Sequence, residues 1–124
     1  MSNHRELFER LAKCNLPAGV EMDTTKWRPY GWDSHVTVST LDGGTAFSCL
    51  KPKDCRAALM LIVDELEATG DYDFARFYDR ERKLYRWGVA WNPPGDRGRF
   101  EDEEATDEVT ALAECLIAAL GVAE

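Results

Sequence analysis

Six carboxylates, Glu101, Asp102, Glu103, Glu104, Asp107 and Glu108, fall within eight residues of a 124-residue chain. Just upstream, Arg76, Arg80, Arg82, Lys83, Arg86, Arg97 and Arg99 form a basic segment. An anionic patch of this density attracts a basic partner, speeds its approach and disfavours wrong partners. An arginine stripe interleaved with Phe77, Tyr78, Tyr85 and Trp87 has the chemistry that grips phosphates and stacks bases. A third group, Trp27, Tyr30 and Trp32, supplies rings of the kind that anchor protein–protein contacts, or that cap the edge of a core.

Residues for covalent or metal chemistry are sparse. A Ser or Cys nucleophile needs a histidine within reach, and the chain has two, His4 near the N-terminal end and His35. There is no G-x-x-x-x-G-K-[ST] or G-x-G-x-x-G loop to cradle phosphates. Asp71 and Asp73 after Gly70 form only a fragment of a calcium loop. Cys14, Cys49, Cys55 and Cys115 contain no C-x-x-C pair and read as reduced, buried thiols. The sequence therefore predicts no catalysis, no cofactor and no metal.

Charge placement is the most informative feature. The net charge is −8, but it is unevenly spread. Residues 76–99 hold seven Lys/Arg against three Asp/Glu, whereas residues 100–124 hold eight carboxylates and no cation. Acidic residues in a first helical turn complement the macrodipole by about 0.3–1 kcal/mol each. One or two suffice for that, and six repel one another. The alternatives are a solvated helix start and an acidic surface presented to a basic partner, with Trp27, Tyr30 and Trp32 as anchors. Direct nucleic-acid binding through the arginine segment is the secondary reading, because an acidic domain repels polyanions at long range.

Periodicity supplies the elements that must hold these groups. Leu7, Phe8, Leu11 and Cys14 recur at helical spacing behind an Asn3–Glu6 pair spaced like a capping box. Residues 20–34 show no period and read as a loop. His35 to Leu41 and Thr45 to Leu50 alternate around Asp42-Gly43-Gly44, predicting a hairpin. A helix starting near Pro52 carries Cys55, Ala58, Leu59, Ile62, Val63 and Leu66 and stops at Gly70. It is apolar over most of its circumference, which makes it the expected central helix. Residues 72–79 and 83–91 form a second hairpin, with Trp87, Val89 and Trp91 on one face. A last helix carries Ala105, Val109, Leu112, Leu116 and Leu120 and ends at Gly121. The prediction is one α+β domain of order α-ββ-α-ββ-α, with about four antiparallel strands and helices on both faces of the sheet. Ala111, Cys115, Ala118 and Ala119 form a small-residue stripe suited to an internal contact or to a homodimer.

The Trp-bearing strand, the Pro/Gly-rich connection at Asn92-Pro93-Pro94-Gly95 and the alanine-rich helix around Ala111-Leu112-Ala113 together resemble small bacteriophage proteins with an ABA-sandwich domain, over residues 85–120. That resemblance implies a phage or prophage protein with helices flanking a sheet and no catalytic residues. Combined with the charge, it leads to an expected function. The protein would be a non-enzymatic inhibitor, anti-CRISPR-like or otherwise counter-defence, that offers an acidic surface to a basic host protein or protein–nucleic acid complex. The charged N-terminal end and the short aliphatic run Ala57 to Val63, far below the ~20 residues of a span, lead to the expectation of a cytoplasmic protein in a bacterial host, off the membrane.

Overall fold

A computed structural model describes residues 4–24, 35–92 and 98–123. The elements run α1 (Arg5–Ala12), β1 (Glu21–Asp23), β2 (His35–Thr40), β3 (Gly43–Ser48), α2 (Pro52–Ala68), β4 (Tyr72–Asp79), β5 (Leu84–Trp91), β6 (Arg99–Ala105) and α3 (Glu108–Leu120). The α+β class stands. Among the described residues the strands number six rather than four, in two antiparallel three-stranded meanders, β1-β2-β3 and β4-β5-β6. The order is therefore α-βββ-α-βββ-α.

Both additional strands lie where periodicity is silent. β1 pairs only three residues with β2, Glu21 to Ser39, Met22 to Val38 and Asp23 to Thr37. β6 runs Arg-Phe-Glu-Asp-Glu-Glu-Ala, a poor strand former by composition. It is a strand because β5 offers a complete row of backbone partners, from Tyr85–Ala105 to Trp91–Arg99. The acidic cluster is thus largely strand, not a helix start, and Ala105 ends β6 instead of opening α3.

Three local readings also shift. The first hairpin turns at Leu41–Asp42, since Thr40 already pairs with Gly43. Gly43, at φ 126, takes the chain out of that turn. α1 starts from His4, and the expected capping residue Asn3 lies outside the described residues. The central helix is α3, not α2, because α3 buries six of thirteen residues and α2 six of seventeen.

α1 packs on β1, β2 and α3. α2 packs on β3, β4 and α3, and α3 also packs on β5 and β6. The helices therefore form the layer that joins the two sheets. Phe8, Leu11, Leu59, Ile62, Leu112 and Leu116 fill it without solvent contact, sealed by Val36 and Val38 from one sheet and Trp87 and Val89 from the other. Burying each such side chain favours folding by about 1.5–3 kcal/mol. Among the described residues there are two sheets against one helical layer, in place of the expected single sheet with helices on both faces. The β4-β5-β6 sheet lays Trp87, Val89 and Trp91 on the helices, while Ala75, Phe77, Ala90 and Phe100 on its other face are exposed.

Candidate functional site

β6 is an edge strand, so its alternation splits the carboxylates between two faces. Asp102 and Glu104 point away from the helices. There Arg86 Nε donates to Asp102 Oδ2 at 2.7 Å, and Arg82 donates to Glu104 at 3.0 Å. Glu101 and Glu103 take the helix-side alternation, at the rim of α3. They form no ion pair among the described residues. Burial, together with Glu114, Glu101 and Asp102 nearby, raises the Glu103 carboxyl above its ordinary pKa.

Glu108 is a structural hub. Its carboxylate is 15% exposed and accepts from Arg56 Nε at 2.9 Å, from Arg76 Nε, and from the Trp87 indole N–H at 3.2 Å. It ties α2, β4 and β5 to the first turn of α3. Arg76 also lies over the Tyr85 ring, 5.6 Å from its centroid.

Asp107 is the N-cap of α3, accepting the Thr110 amide N–H at 2.9 Å and the Thr110 hydroxyl at 2.6 Å. Burial alone would raise its carboxyl. The two Thr110 bonds and the adjacent His4 outweigh that and hold it below the usual carboxylate range. Of the six clustered carboxylates, four are thus committed to partners within the fold, whereas Glu101, exposed, and Glu103, half-buried, have no ion-pair partner among the described residues. The arginines divide similarly. Arg76, Arg82 and Arg86 are paired, Arg80 and Lys83 stand in the exposed β4–β5 turn, Arg99 opens β6, and Arg97 lies outside the described residues.

The sequence reading missed His4. Its ring is buried, with Nε2 3.1 Å from Asp107 Oδ1 and Nδ1 3.9 Å from Cys55 Sγ. Cys, His and Asp in a row have the outline of a nucleophilic triad, but the thiol is not activated. Cys55 is fully buried and donates to the Ser48 and Cys49 carbonyls, each at 3.4 Å. Burial first, then neighbouring acidic groups, pushes its pKa up to about 12. A thiolate is the nucleophilic form, and this environment disfavours it. A cleft of about 410 Å³ opens beside this row, lined by His4, Lys53, Arg56, Tyr85, Asp107 and Glu108. Most of its charges are already bonded to one another. Spacing carried no signal for this row, since 103 residues separate His4 from Asp107.

Trp27, Tyr30 and Trp32 lie outside the described residues, but the ends of their segment are held. Arg5, 8% exposed, donates to the Thr24 carbonyl and, at 2.9 Å, to the His35 carbonyl. Of the small-residue stripe on α3, Ala111 and Cys115 are fully buried against the core, whereas Ala119 is half-buried and Ala118 exposed. Among the described residues, no three or more metal-ligating side chains cluster, and no helix is long and apolar enough to cross a membrane. No family model, curated protein or solved structure matches the chain.

Proposed function

We propose that this protein acts without catalysis, by stoichiometric binding of a basic protein surface to its acidic edge strand. The observation that carries this reading is the pair Glu101 and Glu103. Among the clustered carboxylates these two have no cation of their own among the described residues, and burial, then repulsion from Glu114, Glu101 and Asp102, disfavours the charged form of Glu103. A partner's lysine or arginine placed there relieves that repulsion and gains charge complementarity, which acts most strongly on the association rate and on specificity. The remaining four carboxylates shape the surface and hold it in place. Trp27, Tyr30 and Trp32 stay in this reading as apolar anchors.

The particular role proposed is that of a phage or mobile-element inhibitor of a bacterial host system, anti-CRISPR-like or otherwise counter-defence. The target would be a basic channel that normally holds nucleic acid. Direct nucleic-acid binding is the weaker alternative, because Arg76, Arg82 and Arg86 already neutralise carboxylates in the fold and would have to exchange them for phosphates.

The test is affinity capture from nuclease-treated bacterial lysate, using the wild type and a Glu101→Lys/Glu103→Lys variant of matched melting temperature. The expected result is a protein captured at fixed stoichiometry by the wild type and lost by the variant. Equal capture by both, or recovery of nucleic acid in place of protein, overturns the proposal.

A further inference from the structure

The cleft of about 410 Å³ beside His4 lies between the start of α2, β5 and the first turn of α3. By formal count its lining is balanced, with Lys53 and Arg56 against Asp107 and Glu108. Bonding breaks that balance. Glu108 is taken up by Arg56 Nε, Arg76 and the Trp87 indole, and Asp107 by Thr110 and His4. The donors are not used up in the same way. Among the described residues the Lys53 ammonium has no hydrogen bond or ion pair, and Arg56 donates only through Nε, so its two terminal nitrogens stay open. The Tyr85 hydroxyl likewise has no hydrogen-bond partner among the described residues. Its ring is held in place by Tyr78, with centroids 4.6 Å apart, and by Arg76 at 5.6 Å. Lys53 and Arg56, three residues apart on α2, share a helix face, and Tyr85 lines the cleft from β5.

We propose that this cleft binds a small phosphate monoester, its phosphate held by Lys53, Arg56 and Tyr85 and its organic body lying against Pro52 and Val109. The proposal goes beyond the protein-partner reading and does not rest on it. Three features select the ligand. A guanidinium fork, an ammonium and a hydroxyl match the three terminal oxygens of a phosphate monoester, whereas a carboxylate has two oxygens and leaves one donor without an acceptor. The volume falls in the range of small-molecule sites, about 300–1,000 Å³, and inorganic phosphate alone fills only part of it. A net charge of −8 repels a polyanion at long range, so a compact dianion that meets the molecule only at this cleft is favoured over nucleic acid. The first turn of α2, where Lys51 supplies no side-chain cap, adds positive potential beside these donors.

The experiment is an amide-resolved NMR titration of the full chain, at constant ionic strength, with phenyl phosphate, inorganic phosphate and phenol. The expected result is a saturable shift of the Lys53, Arg56, Tyr85 and Val109 amides by phenyl phosphate, with a Kd of about 1 mM or tighter. Inorganic phosphate should move the same amides more weakly, and phenol should leave them in place. Loss of a hydrogen bond to a charged group corresponds to about tenfold in affinity, and a drop of that size is expected in Lys53→Gln and in Tyr85→Phe. Both variants keep the Glu108 bonds, and their spectra report whether the fold is kept. Undiminished affinity in either variant overturns the proposal, as does a titration that does not saturate or that moves only the Arg80–Lys83 turn. Inorganic phosphate binding as tightly as the ester removes the organic body and overturns it. Tighter binding of a short single-stranded oligonucleotide at these amides assigns the cleft to nucleic acid and also overturns it. None of these outcomes bears on the lysate capture, which judges the protein-partner reading separately.

Discussion

The indole N–H of Trp87 donates to Glu108 Oε2 at 3.2 Å, beneath two arginines that reach the same carboxylate from α2 and β4. One side chain from the acidic cluster is thereby turned inward to close the seam between the β4-β5-β6 sheet and two helices. Acidic residues of one short segment thus stand in different surroundings: Glu108 is bonded inside the fold, whereas Glu101 and Glu103 form no ion pair among the described residues.

Removing the Glu108 carboxylate should therefore destabilise the fold. Glu108→Ala leaves the buried Trp87 N–H without an acceptor and strands two half-exposed guanidinium groups. An orphaned buried donor costs about 1–3 kcal/mol, and loss of the arginine contacts adds to this. Urea denaturation should show a loss of about 2–4 kcal/mol, with Glu101→Ala within about 0.5 kcal/mol of wild type as the control.

Asp107 should show its weight in the pH dependence of stability. Its carboxyl is held low in the folded chain, so the ionised form stabilises folding at neutral pH. That contribution is present above the unfolded carboxylate pKa, near 3.9, and is lost as pH falls through the lower folded value. Asp107→Ala should cost about 1–2 kcal/mol at pH 7, the usual range for an N-cap. In denaturation curves measured from pH 7 to pH 2.5, the gap to wild type should shrink below about pH 4.

Glu103 should behave in the opposite sense. Its folded pKa is raised, so ionisation costs stability as pH climbs through that value, and the cost is absent where the group is protonated in both states. Glu103→Gln should be slightly more stable than wild type at pH 7, by a few tenths of a kcal/mol after solvent screening. Thermal melts at pH 7 and pH 3.5 should show the advantage only at the higher pH.

Cysteine labelling checks the absence of an activated thiol. Burial pushes Cys49 up to about 11, and Cys55 and Cys115 up to about 12, and Cys14 is buried beside them in the core. At pH 8 the native protein should react with a thiol reagent at near zero equivalents. All four cysteines should react once it is unfolded. Fast labelling of Cys55 in the native state would revive a Cys55–His4–Asp107 nucleophile.

The fold was readable from the sequence where burial imposes a period. β4, β5 and α2 follow their apolar spacing closely, because Trp87, Val89 and Trp91, or Leu59, Ile62 and Leu66, must all face one core. Leu112 and Leu116 marked α3 in the same way. β1 and β6 were hidden because their neighbours hold them by backbone pairing, and Glu101 to Glu104 offer no apolar alternation to detect. The acidic surface was legible as composition but not as function, since pairing with Arg82, Arg86, Arg56 and Arg76 is fixed only in three dimensions. His4 was illegible for the same reason: its partners Cys55 and Asp107 are supplied by the starts of two distant helices.

The most direct test of the central claim is calorimetric titration of the captured partner with purified protein at about 50 and 300 mM salt, spanning strong to weak screening of exposed charge. The account predicts one-to-one binding that weakens with salt, and at least a tenfold loss of affinity in Glu101→Lys/Glu103→Lys with folding unchanged. Affinity indifferent to both salt and this reversal would contradict it.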